Sequence, residues 1–163
     1  MADPHFCRRC TIRDAGESDA QAISTLVSAA AREHIAPTLS PAGATQLLSQ
    51  MDQRSIAAFF QSGFQFFAAE ADDVLIGVAA VRPPMHLYYL FVKTEFQNRG
   101  IGRLLWSHAR EWILAAQPAT TITVNASLNA VSIYETFGFE SDGSAVELRE
   151  VRYQLMRWVR PTA

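Results

Sequence analysis

The residues best placed to do chemistry are Gln97, Asn98, Arg99, Gly100, Ile101, Gly102 and Arg103, which lie between an aromatic and aliphatic stretch and a long amphipathic one. Residues 85–93 have the composition of a strand, and the residues after 100 recur at helical spacing, so the segment is a strand-to-helix loop. The first backbone amides of a helix have no intrahelical partner, and the helix dipole makes that end electropositive. Gly100 and Gly102 remove side chains that would hold an anion off those amides, while Arg99 and Arg103 add positive charge. A pyrophosphate fits such a loop. It is not a P-loop, which needs Gly-Lys-Ser/Thr, and it lacks the Gly-x-Gly-x-x-Gly spacing of a dinucleotide fold. By itself the segment has two readings, a phosphate cradle or a tight turn shaped by glycine.

The elements that must position this loop follow from pattern. Residues 11–13 form a short strand, and Gly16-Glu17-Ser18-Asp19 opens a helix whose stripe is Ala22, Ile23, Leu26, Val27 and Ala30, closed by Pro37. Ser40 caps a second helix with Pro41 at its first position and Ala44, Leu47, Leu48 and Met51 on its apolar face. A further turn or two around 56–60 ends at Gly63. Then the period changes. Residues 64–70 and 74–82 read as strands joined by Ala71-Asp72-Asp73, and 85–93 as a third. The helix after the loop carries Ile101, Leu104, Leu105, Ala109, Trp112, Ile113 and Ala116 on one stripe. Residues 120–125 are a β-branched strand, 128–137 a helix ended by Gly138, and 151–159 a closing strand. The fold class is α+β, a mixed order of helices and strands.

Composition bounds the function. With 163 residues, 49% hydrophobic and 18% charged, the chain suits one globular core: residues 1–10 read as a disordered tail and 11–160 as a single domain. A net charge of -2 provides no basic field, so nucleic acid is not expected as a partner. The longest apolar runs, 74–81 and 87–92, fall well short of the roughly 20 residues of a membrane span, and the N-terminus lacks an apolar signal core. No membrane association and a cytoplasmic location are expected. Cys7 and Cys10 have the spacing of a metal or redox pair, but no second pair or histidine half-site follows. They read as two thiols in the tail, with no metal.

Leu90-Phe91-Val92 followed by Gln97-Asn98-Arg99-Gly100-Ile101-Gly102 resembles the Gln/Arg-x-x-Gly-x-Gly/Ala signature of the GNAT superfamily of acyl-CoA-dependent N-acetyltransferases. The segment 124–139, with Ala130-Val131-Ser132-Ile133-Tyr134 and Gly138-Phe139, resembles the superfamily's second signature, and the order of elements agrees along nearly the whole chain. The resemblance implies a central, mostly antiparallel twisted sheet of about six to seven strands with about four helices, two strands splaying at an acyl-CoA cleft. It also implies acetyl-CoA as the acyl donor. The amides of Gln97 through Arg103 would hold its pyrophosphate, and main-chain groups of Leu90, Phe91 and Val92 would pair with the pantetheine arm and thioester.

The same resemblance assigns roles. Tyr134 matches the tyrosine that protonates the leaving thiolate as general acid, against the reading that it simply packs beside Val131 and Phe137. Asn129 and Ser127 lie near a position where members carry a cofactor-contacting asparagine. His86 stands where histone-type members place a glutamate base, and strand alternation would put His86, Tyr88 and Leu90 on one face. Glu70, Glu33 and His34 are further base candidates. The expected reaction is direct attack by a primary amine of a small molecule or peptide, the alternative being a non-catalytic acyl-CoA-binding sensor with the same fold. Pro37-Thr38-Leu39 and Phe59, Phe60, Phe64, Phe66 and Phe67 either line the acceptor cleft or belong to the core. A homodimer is open, with Trp112 or Trp158 as interface candidates.

Overall fold

The structure, a computed structural model, describes residues 10–116 and 121–162. Its elements in chain order are β1 Cys10–Asp14, α1 Ala20–His34, α2 Pro41–Ser49, α3 Gln53–Gln61, β2 Gln65–Ala71, β3 Val74–Arg82, β4 His86–Val92, α4 Ile101–Ala116, β5 Thr121–Ala126, α5 Val131–Thr136, β6 Glu140–Ser141, β7 Val146–Leu148 and β8 Val151–Val159. One sheet runs β1-β2-β3-β4-β5-β8-β6, with β7 also against β8. Every pairing is antiparallel except that of β4 with β5.

Local chemistry sets most boundaries. Ser40 Oγ accepts from the Gly43 amide at 3.0 Å with Pro41 at the first helical position, so α2 begins as its sequence requires. Asp52 Oδ1 accepts from the Ser55 amide at 2.8 Å. That cap, worth about 1 kcal/mol, starts α3 at Gln53, earlier than the short turn expected around 56–60. Asp72 and Asp73 both have left-handed φ, 51° and 63°, as the two-residue turn of a β2–β3 hairpin needs.

The sheet is covered on both sides. On one face, Ile23, Leu26 and Val27 of α1 and Ile56 of α3 pack on Phe66, Val78, Ala80 and Tyr89. On the other, Ile101, Leu105, Trp106, Ala109 and Ile113 of α4 pack on Phe67, Ala79, Leu87, Ile122 and Val124. Each fully buried Leu, Ile or Phe side chain adds ~1.5–3 kcal/mol.

Several expectations change in three dimensions. Trp106 takes the buried place expected of Leu104, which is 37% exposed, because the indole fills the space between α4, Phe139 and Trp158. Trp158 is itself buried there and presents no interface. Phe66 and Phe67 are fully buried on opposite faces of the sheet, and Phe59, Phe60 and Phe64 pack on the Phe66 side, so all five are structural. Residues 128–137 are not one helix: a 3₁₀ turn, Leu128–Ala130, precedes α5. The strands β6 and β7, two and three residues long, bring the sheet to eight. Cys10 is a strand residue paired with Ala71, not part of a tail, while Cys7 and the rest of residues 1–9 lie outside the described residues.

Candidate active site

The site is built on a sheet that comes apart. The strands β4 and β5 pair only at His86↔Thr123 and Leu87↔Val124, after which β4 continues along β3 to Val92↔Gly77 and β5 along β8 to Ala126↔Gln154. A bulge sits at the point of divergence. Leu87 and Tyr89 oppose the adjacent residues Val81 and Ala80, leaving Tyr88 as the extra residue on β4. Bulges bend the strand and increase its twist, turning β4 away from its parallel neighbour.

The bulge also breaks alternation. Tyr88 and Tyr89 both pack toward α1 and α3, while Leu90 and Val92 pack toward α4. His86, Tyr88 and Leu90 therefore do not share a face, as strict period two would require. The Lys93 amide donates to the Ile76 carbonyl on β3 at 2.8 Å. Alternation along β4 turns the main-chain groups of Leu90 and Val92 the other way, into the splay, and those of Phe91 toward β3. Phe91 instead contributes its ring to the α1 side.

The glycine loop closes the α4 side. Gln97 Nε2 donates to the Val92 carbonyl at 3.1 Å, holding the loop on the end of β4. Asn98 and Gly100 take left-handed φ of 61° and 82°, which bring the chain into α4 at Ile101. Gly102 differs from Gly100: a methyl there would meet Val92 and Phe137 only at 3.9 and 4.0 Å, ordinary contact. The fold does not require glycine at 102. Arg103 lies over the Phe137 ring at 5.1 Å and Arg99 over Phe96 at 5.7 Å, both on the exposed rim.

Tyr134 arrives from α5. It packs edge-on against Phe137 and Phe139, at 6.2 and 5.5 Å between ring centroids, and is 8% exposed. Burial pushes its phenol well above the usual tyrosine value, so it stays protonated, and no residue among those described hydrogen-bonds its hydroxyl. Phe137 connects Tyr134 with the glycine loop: its ring packs on Tyr134 and stands beside Gly102, which Val92 at the end of β4 also flanks.

His86 sits at the splay point itself. Its Nδ1 lies 2.8 Å from Thr123 Oγ1, a side-chain link within the short paired stretch of β4 and β5. Desolvation first, then Arg82, lowers its pKa to about 4, so it is neutral at physiological pH. Asn129 is engaged within the protein, its Nδ2 donating to the His34 carbonyl at 2.6 Å and its Oδ1 accepting from Ser127 at 2.8 Å. Glu70 is paired with Arg13 on the β1–β2 side of the sheet, away from the splay. Glu33 and His34 contact Thr94, just beyond β4.

A cleft of ≈ 400 Å³ opens over the splay on the α1 side, lined from both diverging strands, by Tyr88, Tyr89 and Phe91 and by Asn125 and Ser127. The helix α2 supplies Gln46 and Leu47, Gln50 follows just after it, and the β7–β8 hairpin supplies Leu148, Arg149, Arg152 and Tyr153. Sequence reasoning missed this hairpin wall. Residues 151–159 were expected as a closing strand, but its partner Val146-Glu147-Leu148, only three residues long, was not singled out; the signal was its alternation on the far side of Arg149-Glu150.

Residues 35–160 match the family described as the acetyltransferase (GNAT) domain. The chain belongs to this family. The GNAT fold is also that of a GCN5-related N-acetyltransferase from Rhodopseudomonas palustris, at TM-score 0.77 and 21% identity over 91% of this chain and 94% of that one. The PaiA N-acetyltransferase of Thermoplasma acidophilum, solved with coenzyme A, superposes at TM-score 0.75 and 17% identity over 92% and 98%. A ribosomal-protein-alanine N-acetyltransferase from Brucella melitensis gives 0.66 and 21% over 91% and 99%. No match was found among curated proteins. Membership in the GNAT family supports acyl-CoA-dependent acetyl transfer as the general chemistry of the site. Among the described residues of this GNAT domain, no helix is long and apolar enough to cross a membrane, and no cluster of His, Cys, Asp and Glu is arranged to hold a metal ion.

Proposed function

We propose that this GNAT domain transfers the acetyl group of acetyl-CoA to a primary amine of a small molecule or peptide by direct attack on the thioester. The observation that carries the proposal is the splay: on one side it meets the glycine loop and Tyr134, and on the other it opens into the cleft. Donor and acceptor would approach from opposite faces of the sheet and meet between β4 and β5.

In this reading the amides of Gln97 through Arg103 hold the pyrophosphate and Asn129 orders the segment beside it. The main-chain groups of Leu90 and Val92 pair with the pantetheine arm, one amide receiving the oxyanion as the amine attacks. The cost of losing such a donor is ~10²–10³ in rate. Tyr134 then protonates the departing thiolate. For His86 the proposal favours positioning over general base: it does not line the cleft, and a group held near pKa 4 is too weak to deprotonate an alkylammonium ion near about 10. The amine then enters as its neutral fraction from solution.

The test is calorimetric titration with acetyl-CoA beside free coenzyme A and pyrophosphate, followed by thiol release with a panel of amines. Micromolar binding of acetyl-CoA with amine-dependent thiol release is expected. Absence of coenzyme binding would overturn the proposal.

A further inference from the structure

The β7–β8 hairpin brings two arginines to the cleft. Arg149 and Arg152 line it, and no carboxylate does among the described residues. Arg149 forms the two-residue turn between β7 and β8 with Glu150, at φ 51° and 65°. The turn is seated on α2: Gly43 faces the Glu150 carbonyl with no room for even a methyl group. That contact fixes where the Arg149 main chain stands over the cleft. Arg152 lies 3.3 Å from Glu147 in an exposed pair, an interaction weak enough in water for a better partner to compete. The same cleft is lined by Leu47, Met51, Tyr88 and Phe91, the last two from the strand at the splay, which make it largely apolar there.

An occupant matching this arrangement has an amine at the splay, an apolar body along that lining and an anion at the rim. The planar guanidinium fork pairs bidentately with a carboxylate or a phosphate, and a carboxylate is the anion an amino acid carries beside its amine. Building on the transferase reading above, we infer that the acceptor is a hydrophobic amino acid whose free carboxylate is held by Arg149 and Arg152. In the transfer, the amine lone pair forms the N–C bond to the thioester carbonyl and the C–S bond breaks. The nitrogen gives up one proton and the sulfur gains one, so the products are an N-acetyl amino acid and coenzyme A.

The test uses product analogues, which report binding whatever the turnover. Protein loaded with coenzyme A is titrated with N-acetyl-phenylalanine, N-acetyl-leucine and N-acetyl-methionine, each beside its primary amide. At least one acid binds about tenfold or more tightly than its amide, as expected of charge-assisted contacts, and the advantage shrinks at high salt. Arg149→Asn, which keeps a residue tolerant of left-handed φ, and Arg152→Gln each reduce that advantage severalfold without changing acetyl-CoA affinity. Equal affinity for acid and amide, a preference for the amide, or no binding of either overturns the inference while leaving the transferase reading intact. Failure of the protein to bind coenzyme A at all sinks both.

Discussion

Asn129 Nδ2 donates to the main-chain carbonyl of His34 at 2.6 Å, tying the segment after β5 to the last turn of α1. The His34 imidazole reaches Thr94 Oγ1 at 3.1 Å, and Thr94 donates to Glu33 at 2.6 Å. Since Thr94 follows β4, the end of α1 bridges the continuations of two strands that have already parted. Asn129→Ala removes one side of this bridge. It should cost about 1 kcal/mol in stability and raise the KM for acetyl-CoA several-fold with kcat less affected. Denaturant unfolding and steady-state kinetics on the same preparation decide it, an unchanged KM denying the bridge any part in holding the donor.

Tyr134→Phe deletes only a hydroxyl that makes no hydrogen bond among the described residues, so stability and acetyl-CoA affinity should hardly change. Turnover should fall about 10²-fold if the phenol protonates the thiolate. Wild-type turnover in this variant would remove Tyr134 from the chemistry.

Gly102→Ala separates fold from ligand. The added methyl meets Val92 and Phe137 at ordinary contact distance, and alanine favours a helix, so stability should hold or rise slightly. Acetyl-CoA affinity should nevertheless drop tenfold or more, because the methyl occupies the approach to the amides. A variant that binds acetyl-CoA normally would show that the pyrophosphate lies elsewhere.

His86 predicts a pH dependence of stability. Its folded pKa, near 4, lies below the ordinary value of 6.5, so between these limits the unfolded chain binds more protons. Stability from this group is complete above about pH 6.5 and is lost as pH falls toward 4, by roughly 2 kcal/mol after allowance for its partial solvation. His86→Gln keeps a partner for Thr123 and should flatten this part of the profile relative to the wild type. If His86 only positions the strands, the pH profile of kcat/KM keeps its shape in the variant and only its height falls; loss of an acid limb near pH 4 would make it the base.

The sequence by itself determined the helices with strong stripes and caps, the β2–β3 hairpin and the loop from Gln97 to Gly102. These depend on periodicity, on Ser40 with Pro41, and on residues that tolerate left-handed φ, all of which are local. It also carried the two signatures from which Tyr134 and the glycine loop were singled out.

The tertiary structure decided what depends on partners distant in the chain. The extra residue Tyr88 is visible only in the register of β4 against β3, and it reverses which side Leu90 faces. Whether Asn129 is free or bound rests on the carbonyl of His34, 95 residues away in sequence. Arg149 lines the cleft because a turn meets Gly43, and His86 has a depressed pKa because the fold takes it out of water. Periodicity reports the neighbours a residue has along its own element, whereas burial, register and close approach are set by the element packed against it, and no local pattern names that partner.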